Sequence, residues 1–125
     1  MGEKELVLET IIIGSSQSVA NSNNKVIRDR REWGRFLDML YNESPRMVLF
    51  AADFNNEMVI AAFRQNREAY NIQIDRAVET EDAINVYIKK KDYQGITIAL
   101  TKPEPCSYHI VKTKKSDKKV SFVYE

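Results

Sequence analysis

Residues 70–89 read Tyr70-Asn71-Ile72-Gln73-Ile74-Asp75-Arg76-Ala77-Val78-Glu79-Thr80-Glu81-Asp82-Ala83-Ile84-Asn85-Val86-Tyr87-Ile88-Lys89, and the period of this stretch decides the fold class. Tyr70, Ile72, Ile74 and Val78 alternate with Asn71, Gln73 and Asp75. Ile84, Val86 and Ile88 then alternate with Asn85, Tyr87 and Lys89. A period of two sends successive side chains to opposite faces, so each run reads as a strand with one buried and one wet face.

The same reading extends in both directions. Leu6 to Ile13 is apolar and β-branched, while Ser15 to Asn24 is polar and loop-like around Val19. Met47 to Phe54 and Met58 to Phe63 flank Asn55-Asn56, a two-residue hairpin signal because asparagine tolerates left-handed dihedrals. Ile96, Ile98 and Leu100 follow a turn at Asp92 to Gly95. Tyr108 to Thr113 and Val120 to Tyr124 surround the polar turn Ser116-Asp117-Lys118.

One segment has the other period. Asp29 can cap a helix, with Glu32 three residues later as in a capping box. Trp33, Phe36, Leu37, Leu40 and Tyr41 then form one apolar stripe. Arg30, Arg31, Arg35 and Asp38 fall on other faces, and Pro45 disfavours helical geometry at Ser44. The predicted helix spans about 30–41.

Strands at short spacing, joined by turns too short for crossover helices, must pair mainly antiparallel. One helix cannot cover two sheet faces. The expected fold is therefore α+β: a curved sheet, a sandwich or a partly open barrel, with the helix on one face or end. No repeat or linker divides residues 1–125, and 125 residues make one domain.

Composition narrows the function classes. Nineteen Lys and Arg against 18 Asp and Glu leave a net charge of +1, which gives no global pull toward nucleic acid or anionic lipid. Cys106 is the only cysteine, so no intramolecular disulfide can form. No apolar run is long enough to span a membrane. Leu6 to Ile13 lacks the basic start and clean apolar centre of a secretory signal.

Catalytic and cofactor chemistry finds little support. His109, the one histidine, lies three residues from Cys106, and an odd separation on one strand puts the two on opposite faces. Structural zinc needs four ligands of this kind. Gly2, Gly14, Gly34 and Gly95 are scattered, and none forms a phosphate cradle. Asp53 and Glu57 flank the Asn55-Asn56 turn and read as solvated charges. The sequence thus predicts no enzyme, no cofactor and no metal. Trp33 reads as a core anchor. Lys89-Lys90-Lys91, Lys112, Lys114, Lys115, Lys118 and Lys119 near Tyr87, Tyr93 and Phe122 give the alternative, a nucleic-acid or anionic-ligand module. Lysines at strand ends also blunt edge pairing, and that reading is the stronger.

Several ordered segments resemble the PrcB-like family, the C-terminal domain of a protease-complex subunit. They are Val26-Ile27-Arg28-Asp29 with Glu32-Trp33, Asp53-Phe54 with Met58-Val59-Ile60-Ala61 and Phe63, Tyr70-Asn71-Ile72-Gln73-Ile74, Tyr108-His109-Ile110-Val111, and Val120-Ser121-Phe122. They cover about residues 25–124. The chain departs from the family pattern at Glu68-Ala69, where many members carry two glycines, and at Ser107, where they carry proline. The resemblance implies a bacterial, non-catalytic protein of the envelope or secreted space. It implies association with a subtilisin-like protease.

The surface expected to make that contact joins the turn 65–70 to the connection 102–108. The turn offers Arg64, Gln65, Asn66, Arg67 and Glu68 beside Tyr70, and the connection offers Pro103 and Pro105 ahead of Tyr108. Tyr and Arg favour interface centres, and prolines hold an extended loop at low entropic cost. The terminal strands, Leu6 to Ile13 and Val120 to Tyr124, are second candidates through strand addition at an open sheet edge.

Overall fold

A computed structural model of the chain describes residues 3–15, 23–41, 50–65, 70–92 and 106–125. Eight strands and one helix follow in the order β1 (Lys4–Glu5), β2 (Glu9–Ser15), β3 (Lys25–Ile27), α1 (Arg30–Tyr41), β4 (Glu57–Gln65), β5 (Tyr70–Glu79), β6 (Ala83–Asp92), β7 (Cys106–Lys114) and β8 (Lys119–Tyr124). They form two four-stranded sheets, ordered β1-β5-β6-β8 and β2-β7-β4-β3. Every pairing is antiparallel except β6 with β8, which is parallel. The sheets do not close into a barrel.

Two cores account for this arrangement. Strand β4 is buried on both faces, so its run of apolar residues serves two partners. Met58, Ile60 and Ala62 join Val111 of β7 against Ile72, Ile74, Ala77, Ile84, Val86 and Ile88 of the first sheet. The alternate residues Val59, Ala61 and Phe63 join Tyr108 and Ile110 under Trp33, Phe36 and Leu37 of α1. The helix thus covers the outer face of the second sheet, and the inner faces of the two sheets share the other core.

The helix begins where the sequence predicts. The Glu32 amide donates to Asp29 Oδ1 at 2.7 Å, satisfying one of the donors that the first turn leaves without a partner. Trp33 is fully buried and stacks on Phe36 at 5.7 Å between ring centroids. Phe63 meets Phe36 edge-on at 5.7 Å and stacks on Tyr108 at 6.5 Å, so the stripe continues as an aromatic chain into the sheet.

Four expectations need correction. The N-terminal apolar run is not one strand: β1 and β2 belong to different sheets, and residues 6–8 carry the chain between them. The Leu6 amide donates to Ala77 O at 2.9 Å, and Thr113 Oγ1 donates to Val7 O at 2.9 Å, which fixes the crossing to both sheets. Asn55-Asn56 is not a hairpin turn, because residues 50–54 form no strand. Both the Asn56 and the Glu57 amides donate to Asp53 O, making a helical turn that leads into β4.

Ser116 to Lys118 does not close a hairpin either. β7 lies in the second sheet and β8 in the first, so this turn crosses between layers and delivers β8 parallel to β6. Arg28 holds it there, donating from Nε to Ser116 O at 2.9 Å and from Nη2 to Lys118 O at 3.0 Å. Finally, Lys25–Ile27 forms a short strand where the sequence reading assigns none. The expected strand at 96–100, Val19 and the helix stop at 42–45 lie outside the described residues.

Candidate functional site

Register places the described ends of the two expected contact segments, at β4 and β7, side by side. Arg64 pairs with Ser107 and Gln65 with Cys106 across β4 and β7, while Ser15 of β2 meets Ser107 from the other side. Tyr70, at the start of β5, pairs with Asp92 at the end of β6. One end of the second sheet therefore gathers Ser15, Arg64, Gln65, Cys106 and Ser107, and β5 begins five residues after β4 ends. Asn66, Arg67, Glu68, Pro103 and Pro105 lie outside the described residues.

Tyr108 is the exception. It was expected on this surface, yet it is 7% exposed and its ring packs on Phe63 in the helix-side core. On β7 it shares a face with Ile110, and that face looks to α1.

His109 faces the other way, into the space between the sheets, and is 3% exposed. The Ile74 amide of β5 donates to its Nδ1 at 2.8 Å. A ring nitrogen that accepts from an amide carries no proton, so the proton sits on Nε2. Nε2 lies 2.8 Å from Thr10 Oγ1 of β2 and donates to it. The neutral imidazole thus ties β5 to β7 and β2. The register of β5 slips between Ile74 and Arg76, and the His109 bond engages the Ile74 amide beside that slip. Nothing in the sequence distinguishes this histidine from one on a sheet surface. The signal lies only in the neighbour that folding supplies.

With both nitrogens committed, His109 has no free atom with which to activate Cys106. Among the described residues, no group of three or more His, Cys, Asp and Glu is placed to hold a metal ion. No described helix is long and apolar enough to cross a membrane.

Four of the described lysines have separate partners. Lys112 Nζ donates to Ala51 O at 2.8 Å and lies 3.4 Å from Glu9 and 3.5 Å from Glu57. Lys115 Nζ donates to Phe54 O at 2.8 Å. These two bonds tether the 51–54 segment, whose Ala52 and Phe54 are buried under the helix. Lys118 Nζ donates to Thr80 O at 2.7 Å and pairs with Glu79 at 3.3 Å. Lys89 pairs with Asp75 at 3.1 Å on the outer face of the first sheet.

Around Lys112 lies a cavity of about 300 Å³ lined by Val7, Glu9, Asn56, Glu57, Thr113 and Lys114 as well. Within it Lys112 pairs with both Glu9 and Glu57. Beside it, the Asn56 side-chain amide and the Asn55 backbone amide both donate to the Asp53 carboxylate and hold it below its ordinary range. On the first sheet, Lys89 and then Arg76 do the same for Asp75, and Asp75 in turn raises Arg76. The Arg76 guanidinium lies 4.1 Å from the centre of the Tyr87 ring. These surface charges are satisfied by their neighbours.

Set against known proteins, the chain matches no family model, no curated protein and no solved structure.

Proposed function

We propose that this chain is a non-catalytic accessory domain that binds another protein, with a subtilisin-like protease as the partner the PrcB-like resemblance implies. The observation that carries the reading is the register at one end of the second sheet, where Arg64 and Gln65 stand beside Ser107 and Cys106. Binding residues concentrate on connections held by a rigid scaffold, and both β4 and β7 are fixed along their length by pairing and burial. Arg64, Gln65, Asn66, Arg67, Glu68 and Tyr70 form one side of the proposed contact, and Pro103 and Pro105 the other. The commitment of His109 to two structural hydrogen bonds supports a role without covalent chemistry.

The test is affinity capture of the tagged chain from its native cells after mild cross-linking, beside an Arg64→Ala/Arg67→Ala/Tyr70→Ala variant. A protease recovered with the parent chain and lost with the variant is the expected result. Equal recovery by both would remove this surface. Retention on heparin at low salt, lost steeply as salt rises, would instead favour the anionic-ligand alternative.

A further inference from the structure

Two strands at the margins of the sandwich are tied to each other. β3 lies at one end of the second sheet and β8 at one end of the first. Ile27 is buried in the helix-side core and Lys25 lies over the Phe36 ring, so Asn24, Val26 and Arg28 face the other way. Val26 packs on the core between the sheets, as Val120 and Phe122 of β8 do. Asn24 Nδ2 donates to Tyr124 Oη at 2.9 Å, and Tyr124 Oη donates to Phe63 O at 2.7 Å. Arg28 holds Ser116 O and Lys118 O, just ahead of β8. One short segment, 24–28, thus clasps β8 near both its ends.

Between those ends β8 is held lightly. None of its residues is buried, whereas Ile84, Val86 and Ile88 of the neighbouring β6 are fully so. Its pairing with β6 is the parallel one, and parallel pairing is slightly less stable per residue than antiparallel. Arg76 lies 3.5 Å from Glu125, but both side chains are more than a third exposed, and such a pair adds little.

We propose that β8 is a releasable strap: it leaves β6 as one unit when the clasp opens, while the β5–β6 hairpin and the second sheet stay formed. Release uncovers β6 from Ala83 to Ile88, a run paired without a slip and therefore a regular edge on which an extended chain can pair. The strap does not rest on the protein-binding reading above.

The parity of β6 makes release readable. The Glu125 amide donates to Ile88 O. Alternate residues of a strand send both main-chain groups to one side. Val86 and Ile88 therefore face β8, Asn85 and Tyr87 face β5, and the Ser121 and Val123 amides of β8 face β6.

Native-state hydrogen exchange of the full chain, read amide by amide in increasing denaturant below the unfolding midpoint, tests this. Ser121, Val123, Val86 and Ile88 should exchange together, through an opening at least about tenfold more populated than the one that frees Asn85 and Tyr87. Leu37→Val loosens the helix-side core, which stays formed in the released state. It should speed Asn85 and Tyr87 roughly fivefold and leave the other four unchanged. Tyr124→Phe removes the hydroxyl of the clasp and keeps the ring, and it should speed Ser121, Val123, Val86 and Ile88 roughly fivefold. Exchange of all six amides at one rate, or equal acceleration of all six by Leu37→Val, would overturn the proposal. So would Val86 and Ile88 staying with Asn85 and Tyr87 while the β8 amides exchange early, because β8 would then fray and not leave as a unit. A Tyr124→Phe variant with the parent's exchange at β8 would overturn the clasp and the proposal with it.

Discussion

The two faces of β4 look into cores of different kinds. On the helix side, Trp33, Phe36, Phe63 and Tyr108 supply large rings that fix one another by stacking and edge contacts, and Phe54 is buried in the same cluster. Between the sheets the filling is aliphatic, from Ile60, Ile72, Ile74, Ile84, Val86 and Ile88, with one polar ring among them. A single helix has few positions that reach its sheet, so each must bury much area. Two facing sheets have many small contacts, and little in them specifies how one sheet sits on the other. The directional bonds of His109 supply that specification. The seam at β8 has its own polar ties, where Tyr124 Oη donates to Phe63 O at 2.7 Å and Asn24 Oδ1 accepts from the Phe63 amide at 2.7 Å.

The largest expected effect comes from emptying the aromatic core. Trp33→Ala should lower unfolding free energy by about 3–5 kcal/mol in a chemical denaturation series. The Ile74 amide should stay protected from hydrogen exchange in that variant below its unfolding midpoint, if the two cores are separately organised. Loss of both together would show that they act as one.

Next is the polar tie. His109→Ala leaves the Ile74 amide buried without an acceptor and should cost about 1–3 kcal/mol. A sharper check needs no mutation: nitrogen-15 shifts of the imidazole should report the Nε2–H tautomer. An Nδ1–H signal would refute the assignment. Asp29→Ala removes a helix cap and should cost about 1 kcal/mol, without disturbing the His109 signal.

The smallest effect concerns acid. Asp53 and Asp75 are held below their ordinary range by hydrogen bonds and charge. Their contribution is complete above the unfolded-state value and is lost as pH falls through the lower folded-state value. Asp75→Asn should therefore flatten the acid limb of the stability curve slightly. The group lies at the surface, so solvent screens it and the change should be small. A large change would mean that the outer face of the first sheet matters more than either core.

Much of this fold is legible from period alone. The helix bounds, the burial of Trp33 and the antiparallel pairing of β5 with β6 follow from spacing and capping, which are local. The errors share a cause. Asn55-Asn56 has hairpin chemistry, but the preceding residues are anchored by Lys112 and Lys115 from 61 positions away. Ser116 to Lys118 has the composition of a hairpin turn, and only Arg28, some 90 residues earlier, directs it across the layers. Turn composition says that the chain reverses or bends; it does not say which layer the next strand joins. For the candidate site, sequence placed Arg64 and Gln65 near the 102–108 connection in expectation, and register brings them beside Cys106 and Ser107. Tyr108 was misplaced because the parity of β7 is set by its partners and not by its own residues.

The pairing of Glu9 with Lys112 has a consequence in time. During synthesis β2 emerges about a hundred residues before the strand it needs, and β5 with β6 can form a hairpin long before either sheet is complete. Contacts this remote make folding slow relative to a helical protein of equal length. Through that interval Ile11, Ile12 and Ile13 stand without their sheet, an adhesive segment waiting for β7. A chain interrupted before residue 106 would keep them in that condition indefinitely, and aggregation is the expected fate of such fragments.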